Sequence, residues 1–276
     1  MYADMHLHCR FSDGSDTTAE LAEKLITSNI HTFALTDHDT VAGLPSLIEA
    51  VHGRARVITG VEFSCRENGK NCHILGFGFQ PDAPSILEAL RRGQQLRRDN
   101  FQKRLDHLER RHGIVFSKEE IAWLEAKNSV SRAHIMQLLI RHGYADSYQD
   151  GMTKYMNGCK DSEIRLGAKE AIEAILQAGA IPVWAHPLGG EGEAHESPEA
   201  LLPTLISYGI MGLECYYSRY DAKECAYLIA LAKRHGLLIS GGSDYHGTNK
   251  TVALGTLCAD GTPIPATRLT VLEKLP

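Results

Sequence analysis

The segment 33-FALTDHDTV-41 is the most informative part of the chain for the fold. An apolar run, Phe33 to Leu35, is followed at once by Asp37, His38 and Asp39. Apolar runs of this kind are typical of buried strands in parallel sheets, and side chains just after such a strand lie at the edge of the sheet. Two interpretations are open: an ordinary turn in which Asp39 caps the next helix, or a strand end that presents ligands to a metal ion.

The same alternation of short apolar runs and amphipathic helical segments continues along most of the chain, which is typical of parallel β/α units. The predicted strands are residues 1–7, 33–35, 57–63, 72–79, 181–185, 211–215 and 237–241. Capping boxes at Thr17 and Ser117 predict the starts of two helices. The sequence therefore predicts an α/β fold with a barrel-like body.

The alternation stops between Asp82 and Gly167, where only helical patterns occur. This region predicts a helical insert subdomain of residues 82–167 that splits a barrel of residues 1–81 and 168–276. One of its segments is strongly basic, and we interpret its charges as a solvated helix face. The cations concerned are Arg91, Arg92, Arg97, Arg98, Lys103 and Arg104.

The composition limits the classes of function. The chain has 276 residues, of which 43% are hydrophobic and 23% charged, and a net charge of −5. Mild acidity argues against binding of an extended nucleic-acid duplex. No apolar run is long enough to span a bilayer, and the N-terminal residues lack the apolar core of a signal peptide. Seven cysteines without a C-x-x-C pair argue against a disulfide framework and favour a reducing cytoplasm.

Fourteen histidines is the one unusual count. Half of them lie in charged helices or at helix and loop ends, and we interpret these as exposed or capping residues. They are His31, His52, His107, His112, His142, His195 and His235.

The other polar candidates recur where predicted strands end, or lie within a predicted strand. They are His6, His8, Asp13, His38, Glu62, His73, His186, Asp244 and His246. The carboxyl ends of parallel strands share one face of a β/α barrel, so these residues are expected to converge. The spacing of His6-x-His8 and Asp244-x-His246 aims both side chains of each pair the same way along a strand. Imidazole and carboxylate together suit Zn, Mn or Fe.

Each candidate also has an ordinary explanation when it is taken alone. Asp13 could be a turn residue, Glu62 an exposed carboxylate of an edge strand, and His73 a hydrogen-bonded core histidine. These explanations would have to hold together at five or more strand ends. Ionisable residues at such positions need a reason, so the metal-site hypothesis is favoured.

Seven motifs carry a family resemblance: 6-HLH-8, 12-SDG-14, 36-TDHD-39, 60-GVE-62, 73-HILG-76, 185-AHP-187 and 243-SDYHG-247. In this order they resemble the polymerase and histidinol phosphatase (PHP) family of metal-dependent phosphoesterases. The resemblance implies a distorted (β/α)7 barrel. It also implies two or three divalent metal ions, with Mn favoured over Zn or Fe.

The resemblance further implies a set of ligands and catalytic residues. One ion would be held by His6, His8, Glu62 and Asp244, a second by Glu62, His73 and His186, and a third by Asp13, His38 and His246. Asp13, His38, Glu62 and His246 are the implied catalytic residues. We also expect Asp37 and Asp39 to hold the His38 ring in one tautomer.

Within the family, the helical insert and 131-SRAH-134 are similar to a subgroup that acts on nucleoside 3′,5′-bisphosphates or trims short RNA. This similarity implies that Arg132 and His134 bind substrate phosphate. Arg219, in 214-ECYYSRYD-221, is a further phosphate-binding candidate, and the tyrosines there could stack on a base. A helix N-cap at Ser131 and ordinary loop packing remain open as alternatives.

The favoured function is hydrolysis of a phosphate ester of a small nucleotide by a metal-bridging hydroxide, from a nucleoside 3′,5′-bisphosphate to the monophosphate. A 5′-3′ exoribonuclease acting on short RNA is the alternative. A C–N amidohydrolase ranks lower, because Arg132, His134 and Arg219 suit an anionic substrate. The full ligand set argues against a non-enzymatic metal-binding domain, and a histidinol-phosphate-type phosphatase also ranks lower.

Overall fold

Strands and helices alternate in the computed structural model, which describes residues 2–127, 129–159, 164–190 and 197–276. The strands are β1 (Tyr2–Leu7), β2 (Ile30–Leu35), β3 (Arg56–Glu67), β4 (Lys70–Phe77), β5 (Leu166–Gly167), β6 (Ile181–Ala185), β7 (Gly212–Tyr217) and β8 (Leu238–Gly242). The helices are α1 (Thr18–Thr27), α2 (Leu44–Val51), α3 (Pro84–His112), α4 (Lys118–Glu125), α5 (Arg132–Arg141), α6 (Tyr148–Tyr155), α7 (Ala168–Gln177), α8 (Leu202–Tyr208) and α9 (Ala222–Arg234). His195 lies outside the described residues.

The strands form one sheet that almost closes on itself. Its order is β1-β2-β3-β4-β6-β7-β8, with the short strand β5 beside β3. The segment after β8 returns to β1, where Leu7 bridges to Tyr245 and the His8 N–H donates to the Tyr245 carbonyl at 2.9 Å. The prediction of an α/β barrel built from seven strands is confirmed.

One strand runs against the predicted direction. β4 is antiparallel to both β3 and β6, so the expectation of parallel β/α units throughout is wrong there. β3 and β4 form a hairpin whose two-residue loop, Asn68-Gly69, has φ angles of 50° and 77°. These angles fit the Asn-Gly turns that favour hairpins, and the dipeptide in the sequence was the available signal. His73 therefore reaches the site from the N-terminal half of its strand and not from its C-terminal end.

Closure of the barrel depends on one glycine. A Cβ atom at Gly242 in β8 would lie 2.2 Å from the Cβ of His6 and 2.5 Å from its backbone nitrogen. Real side chains cannot approach a backbone so closely, so only glycine allows β8 to pass beside β1. This contact places His6 and Asp244 on adjacent segments of the barrel. The Asp244 N–H donates to the His6 carbonyl at 2.9 Å.

Buried apolar side chains form two hydrophobic clusters among the described residues. The larger cluster fills the barrel and its helices. The smaller one lies between Phe101 and Cys159 in the region of the predicted insert. Ile86, Ala89 and Leu90 of α3 belong to the barrel cluster, so this helix begins on the barrel and ends in the insert region. The division into a barrel and an insert with boundaries at 82 and 167 stays a prediction.

Other sequence predictions are met locally. The side chains of Thr17 and Ser117 accept from the backbone N–H groups of Glu20 and Glu120, which completes both predicted capping boxes. All seven cysteines lie within the described residues and are buried, and none forms a disulfide bond. Within the described residues, no helix combines the length and apolar character needed to cross a bilayer.

Candidate metal centre

Glu62 lies at the centre of the predicted ligands. This residue of β3 is 1% exposed. Its Oε2 atom lies 3.2 Å from His6 Nε2 and 3.1 Å from His8 Nε2, which β1 delivers from the same face. His38 Nδ1, from the segment after β2, lies 3.0 Å from the same oxygen.

The other oxygen of Glu62 faces a different pair of histidines. Oε1 lies 2.8 Å from His73 Nδ1 and 3.2 Å from His186 Nε2. His73 comes from the N-terminal half of β4, and His186 follows β6 directly. The two oxygens of one buried carboxylate thus lie next to two different groups of imidazoles. A carboxylate that bridges two ions requires this arrangement.

Asp244 and Asp13 complete the centre. Asp244 Oδ1 lies 3.3 Å from His8 Nε2, whereas its Oδ2 accepts hydrogen bonds from Tyr217 at 2.9 Å and Lys250 at 2.7 Å. Asp13 Oδ1 lies 3.2 Å from His246 Nε2. Tyr217 and Lys250 fix the orientation of Asp244. From the sequence we expected Tyr217 to stack on a base and did not identify Lys250.

All nine predicted ligand residues are therefore brought together. Donor atoms of eight of these residues form three groups within which all atoms lie within 4.8 Å of one another, and His186 belongs to none of the groups although its Nε2 lies 3.2 Å from Glu62 Oε1. The groups are His8, Asp13, His38 and His246; His6, His8 and Asp244; and His38, Glu62 and His73. They agree with the implied sets in most members but share His8 and His38 between groups, so the assignment of each residue to one ion stays a prediction.

The centre concentrates buried negative charge. Burial alone would raise the pKa values of Asp13, Glu62 and Asp244, but the facing imidazoles and Lys250 outweigh it and hold these pKa values well below the ordinary range. Burial opposes protonation of His6 as well, yet nearby carboxylates raise its pKa well above the usual value. A metal cation bound in place of the proton on His6 would offset the same negative charge.

The donor set fits a metal on a second ground. Among the described residues, Nε2 of His6, Nε2 of His8 and Oε2 of Glu62 are buried without a hydrogen-bond partner. Buried polar atoms are almost always paired, so atoms of this kind that face one another need an explanation. Divalent ions held by these residues would supply it, since imidazole and carboxylate are their common protein ligands.

Two residues of the centre adopt strained backbone conformations. His186 has φ of 31° and Asp244 has φ of 56°, in the left-handed region that side chains rarely occupy. Such residues persist where the surrounding structure holds them, and they collect at functional sites. Here the turn after each strand bends the side chain back over the end of the barrel.

Asp37 and Asp39 do not contact the His38 ring, so the expectation that they hold its tautomer is wrong. Asp37 accepts from the Cys9 N–H at 2.9 Å, which ties it to the segment after β1. Asp39 has φ of 50°, and this turn directs its carboxylate toward α3. The atoms that lie nearest the His38 ring belong instead to Glu62 and to Ser64, whose Oγ is 3.5 Å from His38 Nδ1.

Arg97 of α3 is the partner of Asp39. Its Nε donates to Asp39 Oδ2 at 2.5 Å, and a guanidinium NH₂ group donates to Ser64 Oγ at 2.5 Å. The Arg97 side chain is only 16% exposed, and Arg104 is 5% exposed. The interpretation of this segment as a solvated face is therefore wrong for these two arginines, because one side of α3 packs over the end of the barrel.

A cleft leads from the metal centre to the predicted insert. It consists of two adjoining cavities, which share Asp13, His38, His73, Arg132, Ala133 and Tyr148. One cavity holds the metal centre together with Lys250 and Asn249. The other is basic and is lined by four arginines, namely Arg97, Arg104, Arg132 and Arg165.

The three predicted substrate residues are placed differently. Arg132 begins α5 and lines both cavities. His134 is buried, and its Nδ1 accepts from the Ser131 N–H at 3.0 Å, so this histidine helps to cap α5. Burial lowers the pKa of His134 to about 4. Arg219 is exposed and is not among the described residues that line the two cavities.

The tyrosines predicted to stack on a base do not line the cleft, whereas another tyrosine does. Tyr216, Tyr217 and Tyr220 are buried, and the Tyr220 hydroxyl accepts from the Leu188 N–H at 2.8 Å. Tyr216 and Tyr220 thus pack inside the protein, as the alternative expected, whereas Tyr217 donates its hydroxyl to Asp244 at 2.9 Å. Tyr148 of α6 is 41% exposed and lines both cavities, and nothing in the sequence pattern singled it out.

A nearly closed β/α barrel with imidazoles and carboxylates at one end is the architecture of a metal-dependent hydrolase. The model of the PHP domain matches residues 4–182. The chain therefore belongs to the PHP family, and it is a metal-dependent phosphoesterase, a phosphoric ester hydrolase.

Three curated relatives cover most of the chain. The phosphoribosyl 1,2-cyclic phosphate 1,2-diphosphodiesterase of Eggerthella lenta is 29% identical over 254 residues, which are 90% of this chain and 95% of the relative. The 3′,5′-nucleoside bisphosphate phosphatase of Chromobacterium violaceum is 27% identical and covers 88% of this chain and 86% of its own. The 5′-3′ exoribonuclease of Escherichia coli is 28% identical over 91% and 87%.

Two solved structures share the fold. A chain from Bifidobacterium adolescentis superposes with a TM-score of 0.82 at 24% identity and covers 96% of this chain and 97% of its own. A protein from Chromobacterium violaceum, described as an amidohydrolase with bound sulfate and no metal, has a TM-score of 0.81 at 26% identity. It covers 94% of this chain and 93% of its own.

Proposed function

We propose that the protein hydrolyses a phosphate ester of a small nucleotide and that a nucleoside 3′,5′-bisphosphate is its preferred substrate. One observation carries the proposal: the metal centre opens into a second, arginine-lined cavity, with Arg132 where the two meet. A substrate with one phosphate would use the first cavity only. A substrate with two phosphates would use both.

The proposed cofactor is a set of two or three divalent ions, with Mn favoured, held by the nine residues gathered around Glu62. Ions bound there lower the pKa of a coordinated water and neutralise the charge of the phosphate. Asp13, His38, Glu62 and His246 are the proposed catalytic residues, because they face the open side of the centre or bridge its groups. Lys250 holds Asp244 in place at 2.7 Å.

The arginine cavity supplies the binding energy that orients the substrate. Arg132 lies beside Asp13 and His38 in the shared lining, so a phosphate bound to it would remain close to the metal centre. Binding energy from such a remote group can be used to orient the reacting group. His134 is proposed to support this binding through the start of α5, because its ring already accepts the Ser131 N–H.

Two of the three relatives support this class of substrate or its main alternative. One relative is named a nucleoside bisphosphate phosphatase, and another a 5′-3′ exoribonuclease. The half-exposed Tyr148 at the junction of the cavities favours a base-bearing substrate in either case, because bases stack on tyrosine rings. A cytoplasmic location stays a prediction, which the seven cysteines without a disulfide bond support.

The test compares two substrates on two proteins. Arg132→Ala should cost the bisphosphate about 2–3 kcal/mol in kcat/KM, the scale of a charge-assisted contact, whereas a nucleoside 5′-monophosphate should lose far less. Release of phosphate is measured with added Mn²⁺. Arg219→Ala is the matched control, since Arg219 is exposed outside the cleft. Equal losses on both substrates would mean that Arg132 supports the fold or the metals. The proposal that the two phosphates of the substrate occupy both cavities would then be abandoned.

The same assay separates the alternatives. Short RNA with a 5′-phosphate, histidinol phosphate and an amide substrate are tested beside the bisphosphate. Turnover of RNA well above that of the bisphosphate would favour the exoribonuclease. Cleavage of the amide alone would favour the C–N hydrolase, to which the structural likeness with the protein described as an amidohydrolase would then correspond.

A further inference from the structure

Glu214 is a buried carboxylate that the proposed function has not used. It lies inside β7 and is fully buried, at 0% exposure. Its Oε1 atom lies 2.9 Å from His6 Nδ1, and its Oε2 accepts the His186 N–H at 2.8 Å. Both oxygens are thus occupied by residues that are predicted to bind different ions.

This position is costly for a carboxylate. Glu62 and Asp244, both buried acids, lie within 3.7 Å of the His6 ring, so Glu214 adds further negative charge behind it. A buried charge lowers stability unless it is paired and hydrogen-bonded. The two hydrogen bonds of Glu214 go to His6 and to the backbone of His186, and these contacts point to the reason for its presence.

We propose that Glu214 is a positioning residue that prepares both sides of the metal centre at once. Accepting a hydrogen bond from His6 Nδ1–H fixes that ring as the tautomer with a free lone pair on Nε2, the atom that faces Glu62 and Asp244. Accepting the His186 N–H holds that residue in its left-handed conformation, with φ of 31°. Carboxylates behind metal-binding histidines act in this way in general.

The substitution Glu214→Gln tests this arrangement because it keeps the shape and changes one hydrogen-bonding atom. If the amide oxygen stays on the His186 N–H, the amide NH₂ faces His6 Nδ1. His6 must then accept there and carry its proton on Nε2, which removes the lone pair that binds metal. If the amide turns round, its NH₂ opposes the His186 N–H instead. Neither orientation satisfies both partners.

The inference rests on the proposed metal centre, so the experiment measures metal binding without substrate. We expect Glu214→Gln to weaken binding of Mn²⁺ or Zn²⁺ by about 10- to 100-fold in competition with a chelator. The metal-free protein should also lose some thermal stability, because one of the two buried hydrogen-bond partners of residue 214 is left unsatisfied in either orientation of the amide. Glu49→Gln, an exposed change of the same kind on α2, should alter neither quantity.

A double substitution tests whether Glu214 acts through His6. In a His6→Ala background, Glu214→Gln should lose most of its effect on metal affinity, because the ring that it orients is gone. Full additivity would overturn the inference. So would a Glu214→Gln protein with metal affinity within about threefold of wild type, or one that is less stable without metal yet binds metal normally.

A measurement on the unaltered protein keeps the test independent of how the variants fold. In the Zn²⁺-loaded protein, ¹⁵N-resolved NMR of the imidazoles should show His6 with its proton on Nδ1. A proton on Nε2 would overturn the inference. If the unaltered protein binds no divalent ion at all, the proposed metal centre fails first, and that outcome is distinct from a Glu214 without effect in a protein that does bind metal.

Discussion

The barrel and the predicted insert contribute opposite charges to one cleft. The barrel end is rich in carboxylates and imidazoles that face one another around Glu62. The insert side presents arginines, of which Arg97 and Arg132 line the basic cavity. The first set suits cations and the second suits anions. We infer that the barrel supplies the reaction chemistry, common to any phosphate ester, and that the insert side selects the substrate.

The two regions also hold their side chains by different means. Strand ends of the barrel are fixed by backbone pairing, so a one-residue change of position would move every ligand. The arginines come from helices, whose exposed and buried faces depend on what they pack against. Loss of a barrel ligand should therefore lower turnover of every substrate. Loss of an arginine should lower turnover of some substrates more than others, or lower stability, depending on which arginine is lost.

The largest effect should follow a change at the centre of the barrel end. Glu62→Gln should lower kcat/KM by about 10²–10³-fold on every phosphate ester, because one neutralised carboxylate weakens two groups of ligands. Turnover and metal content are measured together. Glu67→Gln, on the same strand but in the hairpin loop region, should stay close to wild type. Comparable losses in both variants would contradict the central position of Glu62.

A change at Arg97 tests the contact between the two regions. Arg97→Ala leaves the buried carboxylate of Asp39 without its cation and should reduce the free energy of unfolding by about 3 kcal/mol. Arg98→Ala, next in sequence but exposed, should change stability by less than about 0.5 kcal/mol. Denaturant unfolding of both variants makes the comparison. Equal effects would restore the interpretation of this segment as a solvated face.

Lowering the pH should reduce the stability of the protein through His134, which lies in the predicted insert. Because burial lowers its pKa to about 4, the folded state disfavours the proton that the unfolded chain binds below pH about 6.5. Stability is therefore complete above about 6.5 and is lost as the pH falls toward 4, by about 2–3 kcal/mol. His134→Gln should flatten this part of the stability profile relative to wild type, and exposed His142→Gln should not. Parallel profiles for all three proteins would contradict the assignment.

The smallest effect concerns a helix cap far from the metals. Ser117→Ala removes the side chain that accepts the Glu120 N–H and should cost about 1 kcal/mol of stability. Ser117→Asp, which keeps a capping oxygen, should cost little. Metal affinity measured by chelator competition should be the same in both variants. A change in metal affinity would show that the two regions are coupled more closely than their separate hydrophobic clusters suggest.

Much of the barrel end could be predicted from sequence because strand ends recur in a fixed place. His6, Glu62 and Asp244 each follow an apolar run or lie within one, and the topology alone brings them together. His73 was assigned to the site although the direction of its strand was not foreseen. The Asn68-Gly69 turn could have shown it, since a two-residue loop joins antiparallel strands.

Other residues could not be found in this way. Glu214 is a single carboxylate in the buried strand Gly212–Tyr217, and only its neighbours in space reveal what it does. Arg97 and Arg98 are adjacent and chemically identical, so sequence offers no means to tell which one is buried. Asp39 was expected to serve His38 because it is adjacent in sequence, yet the left-handed turn at Asp39 directs it to α3. Packing between distant elements decided all of these.

The β3–β4 hairpin has a consequence for how the protein is made. Glu62 and His73 are 11 positions apart, whereas 124 positions separate Glu62 from His186. Local pairs form sooner than distant ones, and chains fold from the N-terminus during synthesis. When residue 77 leaves the ribosome, six of the nine predicted ligands already exist, and the hairpin has joined two of them. A nascent chain thus acquires a partial metal site well before the barrel that encloses it can close.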